Sequence, residues 1–204
     1  EERIGQQVEN AWFPEPERCS GADGLRVLET LGQRLWPDEQ IKLFVSQSNL
    51  TLLEPGQVAW LKNLLKADKL PEDSLVVEIN HDDALLNHQS IHDFCQALIY
   101  DGIQFCLSRY NPRSDETNLL DSMPFSYIKL APGLTSGLLQ EGTRDQVKNV
   151  VEFAHRNGIE VIAHGVEDAH SAATLWMSGI DFIQGNLVQP ATGKLEFGFD
   201  QSVL

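Results

Sequence analysis

Residues Val161–Pro190 read VIAHGVEDAHSAATLWMSGIDFIQGNLVQP and show most plainly which fold the chain adopts. This stretch contains two apolar runs, Val161–Ala163 and Phe182–Ile183, separated by an amphipathic segment at Asp168–Met177. The amphipathic segment stops before Gly179, a residue that often ends helices. Short runs rich in Val, Ile and Phe, without strict alternation, are typical of strands buried on both faces of a parallel sheet. The stretch therefore predicts a strand, a helix and a second strand parallel to the first.

The same alternation of strand and helix extends upstream through the chain. Four further apolar runs predict strands, at Ile41–Val45, Leu75–Ile79, Ile103–Leu107 and Tyr127–Leu130. Helical patterns lie between the runs, at Gln57–Lys66, Asp83–Tyr100 (with Asp82 or Asp83 as N-cap) and Arg144–Asn157. The glycine-rich stretch Pro132–Gly142 is expected to be a loop or an irregular helix. This pattern predicts one α/β domain over residues 1–204, but by itself it leaves open whether the sheet is open or closed into a barrel.

Composition and charge exclude several classes of partner. The chain of 204 residues has 30 acidic and 15 basic residues, giving a formal net charge of −15. Such a charge repels phosphate, so we expect no DNA, RNA or anionic membrane as a partner. The three cysteines have no metal-type spacing, and their odd number suits reduced thiols in the cytoplasm.

Six blocks of sequence are similar to the motifs of one family, in the same order. They are WFPEPER at Trp12–Arg18, FVSQS at Phe44–Ser48, LVVEINH at Leu75–His81, the strand at Ile103–Tyr110, PFSYIKLA at Pro124–Ala131, and Val161–Pro190. On these blocks the chain is identified as a member of the EAL domain family, whose enzymes hydrolyse cyclic-di-GMP. The resemblance implies a TIM-like (β/α) barrel with its site at the carboxyl ends of the strands. The Glu-Ala-Leu motif of the family's first strand is absent, so we expect a domain truncated at its amino-terminal side, with that strand lacking or rearranged. The exposed sheet edge would then invite pairing with residues 1–9 or with another chain.

The resemblance also implies which residues belong to the site. The family's enzymes use two Mg²⁺ or Mn²⁺ ions held by oxygen ligands. Five of the corresponding positions have changed, and they hold Ser46, Ser108, Arg109, Ala131 and His164. Four others keep the family residue, and they hold Glu78, Lys129, Glu167 and Gln184. Because arginine cannot bind a metal ion, Arg109 predicts a site with no metal and no phosphodiesterase activity.

Two roles for Arg109 remain open from the sequence. In the first, Arg109, Lys129 and His164 supply the positive charge that holds a phosphate of cyclic-di-GMP, while Glu167 and Gln184 meet a guanine edge. In the second, Arg109 forms an ion pair with Glu78 or Glu167 and the site is closed.

The function that the resemblance implies is that of a non-catalytic regulatory module. Some family members, regulators of twitching motility by type IV pili, bind cyclic-di-GMP without cleaving it and contact PilZ-type proteins. The alternative is a protein-binding scaffold without nucleotide binding, and pairing into a homodimer is also open.

Three further features have ordinary explanations. His88 and His92 have the i, i+4 spacing of metal ligands, but no acidic or cysteine partner accompanies them, which favours a solvated helix face. Lys129 could form a Schiff base in another barrel, although its neighbourhood argues against that role. The aromatic residues of Phe197–Phe199 are expected to pack against the barrel rim.

Overall fold

The sheet of this protein is parallel, and its strands follow chain order. The computed structural model describes residues 9–10, 42–46, 49–68, 73–112, 117–138 and 140–188. Within these ranges seven strands form one sheet in which each pairs in parallel with the next along the chain. The sheet curls into a half-barrel with helices around it, which confirms the predicted TIM-like architecture. Trp12–Arg18, Cys19 and Phe197–Phe199 lie outside the described residues.

The six apolar runs of the sequence all form strands, with ends shifted by a few residues. The strands are β1 (Glu9–Asn10), β2 (Leu43–Ser46), β3 (Leu75–Asn80), β4 (Ile103–Tyr110), β5 (Tyr127–Leu130), β6 (Glu160–His164) and β7 (Phe182–Gln184). The additional strand is β1, which pairs with Leu43 and Phe44 of β2. Residues 9–10 therefore form the edge of the described sheet beside β2.

The described helices lie between these strands. They are α1 (Asn49–Leu52), α2 (Gln57–Asp68), α3 (His81–Leu86), α4 (His88–Leu98), α5 (Thr117–Ser122), α6 (Pro132–Ser136), α7 (Glu141–Arg156) and α8 (Ala169–Met177), with a 3₁₀ turn at Ile99–Asp101. Among the described residues, no helix is long and apolar enough to cross a membrane.

The single helix expected at Asp83–Tyr100 is instead two helices. α3 ends and α4 begins at Asn87, whose φ of −125° and ψ of 35° lie outside the helical range. The N-cap is Asn80, not Asp82 or Asp83, because the Asn80 side chain accepts a hydrogen bond of 2.9 Å from the Asp82 amide. The N-cap of α8 is Asp168, which accepts from the Ser171 amide in the same way.

Two apolar clusters lie on opposite faces of the sheet. The larger one packs the outer face of the strands against the helices. The smaller one fills the concave face and consists of Phe44, Val76, Cys106, Tyr127 and Ile162, with Phe182 packed against it. Because successive side chains of a strand point to opposite faces, residues two positions beyond this inner cluster also face the interior.

Candidate ligand site at the carboxyl ends of the strands

The inner face becomes polar towards the carboxyl ends of the strands. Five residues lie two positions beyond members of the inner cluster and so share its face, namely Ser46, Glu78, Ser108, Lys129 and His164, and Gln184 stands at the same level of β7. Active sites of parallel barrels lie at this end of the strands. The structure thus gathers at one end of the half-barrel residues that the sequence scatters over more than a hundred positions.

A buried ion pair lies at the centre of this group. Lys129 Nζ donates to Glu78 Oε1, and the two side chains are only 5% and 6% exposed. The second carboxylate oxygen, Glu78 Oε2, accepts a hydrogen bond of 3.1 Å from Ser46 Oγ. Both oxygens of the Glu78 carboxylate are therefore already bound by the protein itself.

An aromatic layer forms the floor below the ion pair. The Phe44 ring lies edge-to-face against Tyr127, with 5.2 Å between ring centroids, and Tyr127 in turn contacts Phe182 at 6.4 Å. Lys129 Nζ lies 5.5 Å from the Phe44 ring centroid, within range of a cation–π interaction. Burial, followed by the negative charge of Glu78, raises the pKa of the Cys106 thiol well above its usual range. The ion pair therefore rests on a surface that excludes water.

Arg109 lies apart from this pair. It has a φ of +57° at a point where the register between β4 and β5 shifts, as a β-bulge does. Its side chain is exposed, whereas those of Ser108 and Tyr110 are buried. Among the described residues, no ion pair joins Arg109 to Glu78 or Glu167. Of the three residues that the sequence assigns to phosphate, Arg109 is thus accessible, whereas Lys129 is buried with Glu78.

His164 is half-buried and within electrostatic reach of these charges. Burial, Lys129 and Arg109 together lower the pKa of its imidazole, and Glu78 opposes them. A neutral imidazole is therefore favoured at neutral pH. It offers one hydrogen-bond donor and one acceptor to a ligand.

The loops that follow β6 and β7 are joined through their backbones. The Val166 amide donates to the Gln184 carbonyl at 3.0 Å, and the Leu187 amide donates to the Val166 carbonyl at 3.1 Å. Gly185 approaches Val166 so closely that a Cβ at residue 185 would lie 2.2 Å from the Val166 carbonyl oxygen. This contact fixes Gln184 relative to Glu167, which follows Val166 and is exposed. Gly185 is needed for the loop contact itself.

Among the described residues, the side chains at this end of the barrel offer few of the oxygen ligands that a divalent cation prefers. Mg²⁺ and Mn²⁺ prefer several carboxylate or carbonyl oxygens. Glu78 is a carboxylate already engaged by Lys129, and its neighbours on the same face are Ser46, Ser108 and His164. In the part of the chain that the structure describes, no group of three or more His, Cys, Asp or Glu side chains could hold a metal ion.

His88 and His92 do not form a site with each other. His88 Nε2 lies 2.8 Å from Ser122 Oγ of α5, and His92 Nδ1 lies 3.4 Å from Asp93 Oδ1. The first contact joins α4 to α5, and the second joins two neighbouring residues of α4. Both lie on exposed side chains.

Two residues near the site were not predicted from the sequence. Phe44 forms the floor under Lys129, and His81 is buried with its ring 5.1 Å from that of Tyr110. The signal for Phe44 was its position two residues before Ser46, which places both on one face of a strand. No strand alternation pointed to His81, because this residue begins helix α3 directly after β3.

Comparison with known proteins supports one family for this chain. The family model described as EAL domain matches residues 23–191. The FimX EAL domain from Pseudomonas aeruginosa bound to c-di-GMP is 28% identical with a TM-score of 0.78, covering 86% of this chain and 70% of that one. Another FimX EAL domain structure is 25% identical with a TM-score of 0.83, covering 97% of this chain and 89% of that one.

A named enzyme is also among the relatives. The cyclic di-GMP phosphodiesterase PdeL of Escherichia coli is 26% identical over 131 residues, which are 64% of this chain and 35% of that protein. The chain spans between about a fifth and about a third of the length of the curated relatives it matches.

Proposed function

This chain belongs to the EAL domain family, and we propose that it is a receptor module that binds cyclic-di-GMP without hydrolysing it and acts through a protein partner. The observation that carries the proposal is Arg109, whose exposed side chain stands at the strand end beside Glu78, in a position where the resemblance places a metal ligand. Glu78 and Lys129, by contrast, are residues that the family's enzymes keep.

Catalysis is unsupported by the residues at this end of the barrel. Hydrolysis in the family depends on metal ions that bind the phosphate and activate water. Ser108, Arg109, Ala131 and His164 replace the residues that the family uses there, and loss of even one metal ligand or its support costs orders of magnitude in rate. We therefore expect purified protein with Mn²⁺ to produce no linear dinucleotide above a heat-inactivated control.

Ligand binding is supported by charge. A protein with a net charge of −15 needs local cations to bind a dianionic dinucleotide. Arg109 is an exposed cation without an ion-pair partner among the described residues, and a guanidinium binds phosphate oxygens in a bidentate manner. Glu167 and Gln184, held together by the Gly185 contact, are suited to the donor and acceptor groups of a guanine edge.

The protein partner is proposed from the resemblance of the sequence to the family's regulators of twitching motility. The FimX EAL domain from Pseudomonas aeruginosa is a structure with bound c-di-GMP. A PilZ-type domain, and with it a role in type IV pilus function and twitching motility, is the partner we propose. Calorimetric titration of a PilZ domain with and without cyclic-di-GMP tests it directly.

Calorimetry with cyclic-di-GMP tests the central proposal. Binding should occur in the presence of EDTA and weaken at high salt. Arg109→Asn, which removes the charge but tolerates the positive φ, should weaken binding about tenfold or more. Arg144→Asn, on the exposed face of α7, is the matched control and should leave the affinity unchanged.

The alternative function is a protein-binding scaffold that does not bind nucleotide. Absence of binding by the wild-type domain at any salt concentration would favour it over the receptor. Abolition of binding by EDTA, or an unchanged affinity of Arg109→Asn, would contradict the role of Arg109.

A further inference from the structure

We infer that an exposed apolar face of helix α8 is a docking surface for a segment of the same chain, residues 195–199. This inference concerns the domain alone and does not depend on whether cyclic-di-GMP binds.

The docking surface is a stripe along α8. One side of this helix packs in the core. The other side carries four exposed apolar residues at helical spacing, namely Ala169, Ala173, Trp176 and Met177. Trp176 is 42% exposed and Met177 is 86% exposed. Because residues three and four positions apart lie on one face of a helix, the four residues form a single surface, which we call the α8 stripe.

The absence of charge distinguishes α8 as a contact surface. The chain has a formal net charge of −15, yet this helix contains no Asp, Glu, Lys or Arg. A helix that faces water on its outer side normally carries charged residues there. In protein interfaces, by contrast, aromatic residues and Met are enriched and most charged residues are depleted. The α8 stripe has the composition of an interface.

The small size of the stripe favours a tethered occupant over a second copy of the chain. A stable interface between two proteins buries about 800 Å² on each partner. The helix has nine residues and is therefore only ~14 Å long, and two of its four stripe residues are alanines. A segment of the same chain needs less contact area, because its attachment raises its effective concentration at the surface.

The sequence beyond the described residues contains a segment that fits the stripe. Residues 195–199 read LEFGF, in which apolar residues alternate with Glu or Gly. An extended chain with this alternation presents Leu195, Phe197 and Phe199 on one side. The match to the family model ends at residue 191, so this segment lies beyond the part of the chain that the family shares.

The connection from β7 is long enough to reach the stripe. The described residues end at Val188, four residues after the end of β7, and α8 immediately precedes that strand in the chain. Residues 189–194 span up to about 20 Å when extended. This reach exceeds the ~14 Å length of α8, so residues 195–199 can lie along the helix.

The two methionines of the chain provide the test. Met123 is 5% exposed and Met177 is 86% exposed. Hydrogen peroxide oxidises an accessible methionine to its sulfoxide, which mass spectrometry measures at each position. In the wild-type chain Met177 should oxidise at least about threefold more slowly than in urea, because residues 195–199 cover it.

Variants on both sides of the contact identify the occupant. Phe197→Ser/Phe199→Ser should raise the oxidation rate of Met177 to that measured in urea, while Met123 stays protected and reports an intact fold. Glu196→Ser/Asp200→Ser changes the other side of the alternation and should match the wild type. Ala173→Glu places a charge within the stripe and should expose Met177 in the same way, since Glu is well tolerated in a helix.

Two results would overturn the inference directly. One is a wild-type Met177 that oxidises as fast as in urea, and the other is protection that survives in both Phe197→Ser/Phe199→Ser and Ala173→Glu. Protection that is lost on dilution would assign the stripe to a second copy of the chain and would overturn it as well. If oxidation of Met123 shows that Phe197→Ser/Phe199→Ser does not fold, Ala173→Glu decides alone. No dinucleotide is present, so failure here is distinct from failure of the proposed function.

Discussion

Two lysine–carboxylate pairs of this protein lie in contrasting regions. Lys129 and Glu78 meet inside the half-barrel, above an aromatic floor, and their side chains are 5% and 6% exposed. Lys62 of α2 and Asp101 of the 3₁₀ turn meet on the outer wall at 2.8 Å, with exposures of 35% and 23%. The chemical groups are alike, so any difference between the pairs arises from the surrounding medium.

The surrounding medium determines how much each pair contributes to the free energy of unfolding. On the outer wall, water screens both charges, and such pairs contribute ~0–1 kcal/mol. Inside the barrel, each partner has lost its hydration and depends on the other, so removal of one partner leaves a buried charge uncompensated. The inner pair therefore sets the charge balance inside the site, whereas the outer pair only joins two surface elements.

The largest expected effect comes from breaking the inner pair. Lys129→Met should lower the free energy of unfolding by about 3–5 kcal/mol, because the Glu78 charge stays buried without a partner. Lys62→Met should lower it by no more than about 1 kcal/mol. Urea unfolding at neutral pH measures both variants.

A double variant of the inner pair serves as the control. Glu78→Gln/Lys129→Met removes both charges and should recover much of the loss. Equal costs for Lys129→Met and Lys62→Met would show that the inner pair is as well hydrated as the outer one, and the contrast between the regions would fail.

The next largest effect is expected at the rim of the site. Gly185→Ala should destabilise the protein by about 2–3 kcal/mol, because a Cβ would lie 2.2 Å from the Val166 carbonyl oxygen and the two loops must separate. Gly133→Ala in α6 is the control, since a Cβ at that residue meets nothing within 4 Å. Urea unfolding measures stability, and an unchanged midpoint for Gly185→Ala would show that the loops adapt.

The smallest effect concerns His164 and pH. Its pKa in the folded state is lowered from the ordinary value of 6.5, so the unfolded state binds a proton more readily. Stability should therefore fall as the pH drops through and below that value. His164→Gln should lose less stability than the wild type between about pH 7.5 and about pH 5.5. His170→Gln on the exposed face of α8 is the control, and a pH profile of His164→Gln that matches the wild type would contradict the expectation.

The strand positions could be predicted from the apolar pattern, and the barrel architecture from the family motifs. The apolar runs at Leu75–Ile79 and Tyr127–Leu130 lie in β3 and β5, because a strand buried on both faces requires consecutive apolar residues. The motif order determined the family. The break between α3 and α4 escaped the pattern, because it lies in the backbone of Asn87, whose non-helical φ of −125° and ψ of 35° leave the spacing of the apolar residues unchanged.

The contacts of the site residues could not be predicted from the sequence. Glu78 and Lys129 stand 51 positions apart, and their pairing depends on β3, β4 and β5 lying side by side with all carboxyl ends at one rim. The sequence assigned Lys129 and Arg109 to the same phosphate. Burial separated them, since the strand interior places Lys129 against Glu78 while the bulge at Arg109 leaves its side chain in solvent. A residue's type sets its charge, but its depth in the fold decides whether that charge is used inside the protein or offered to a ligand.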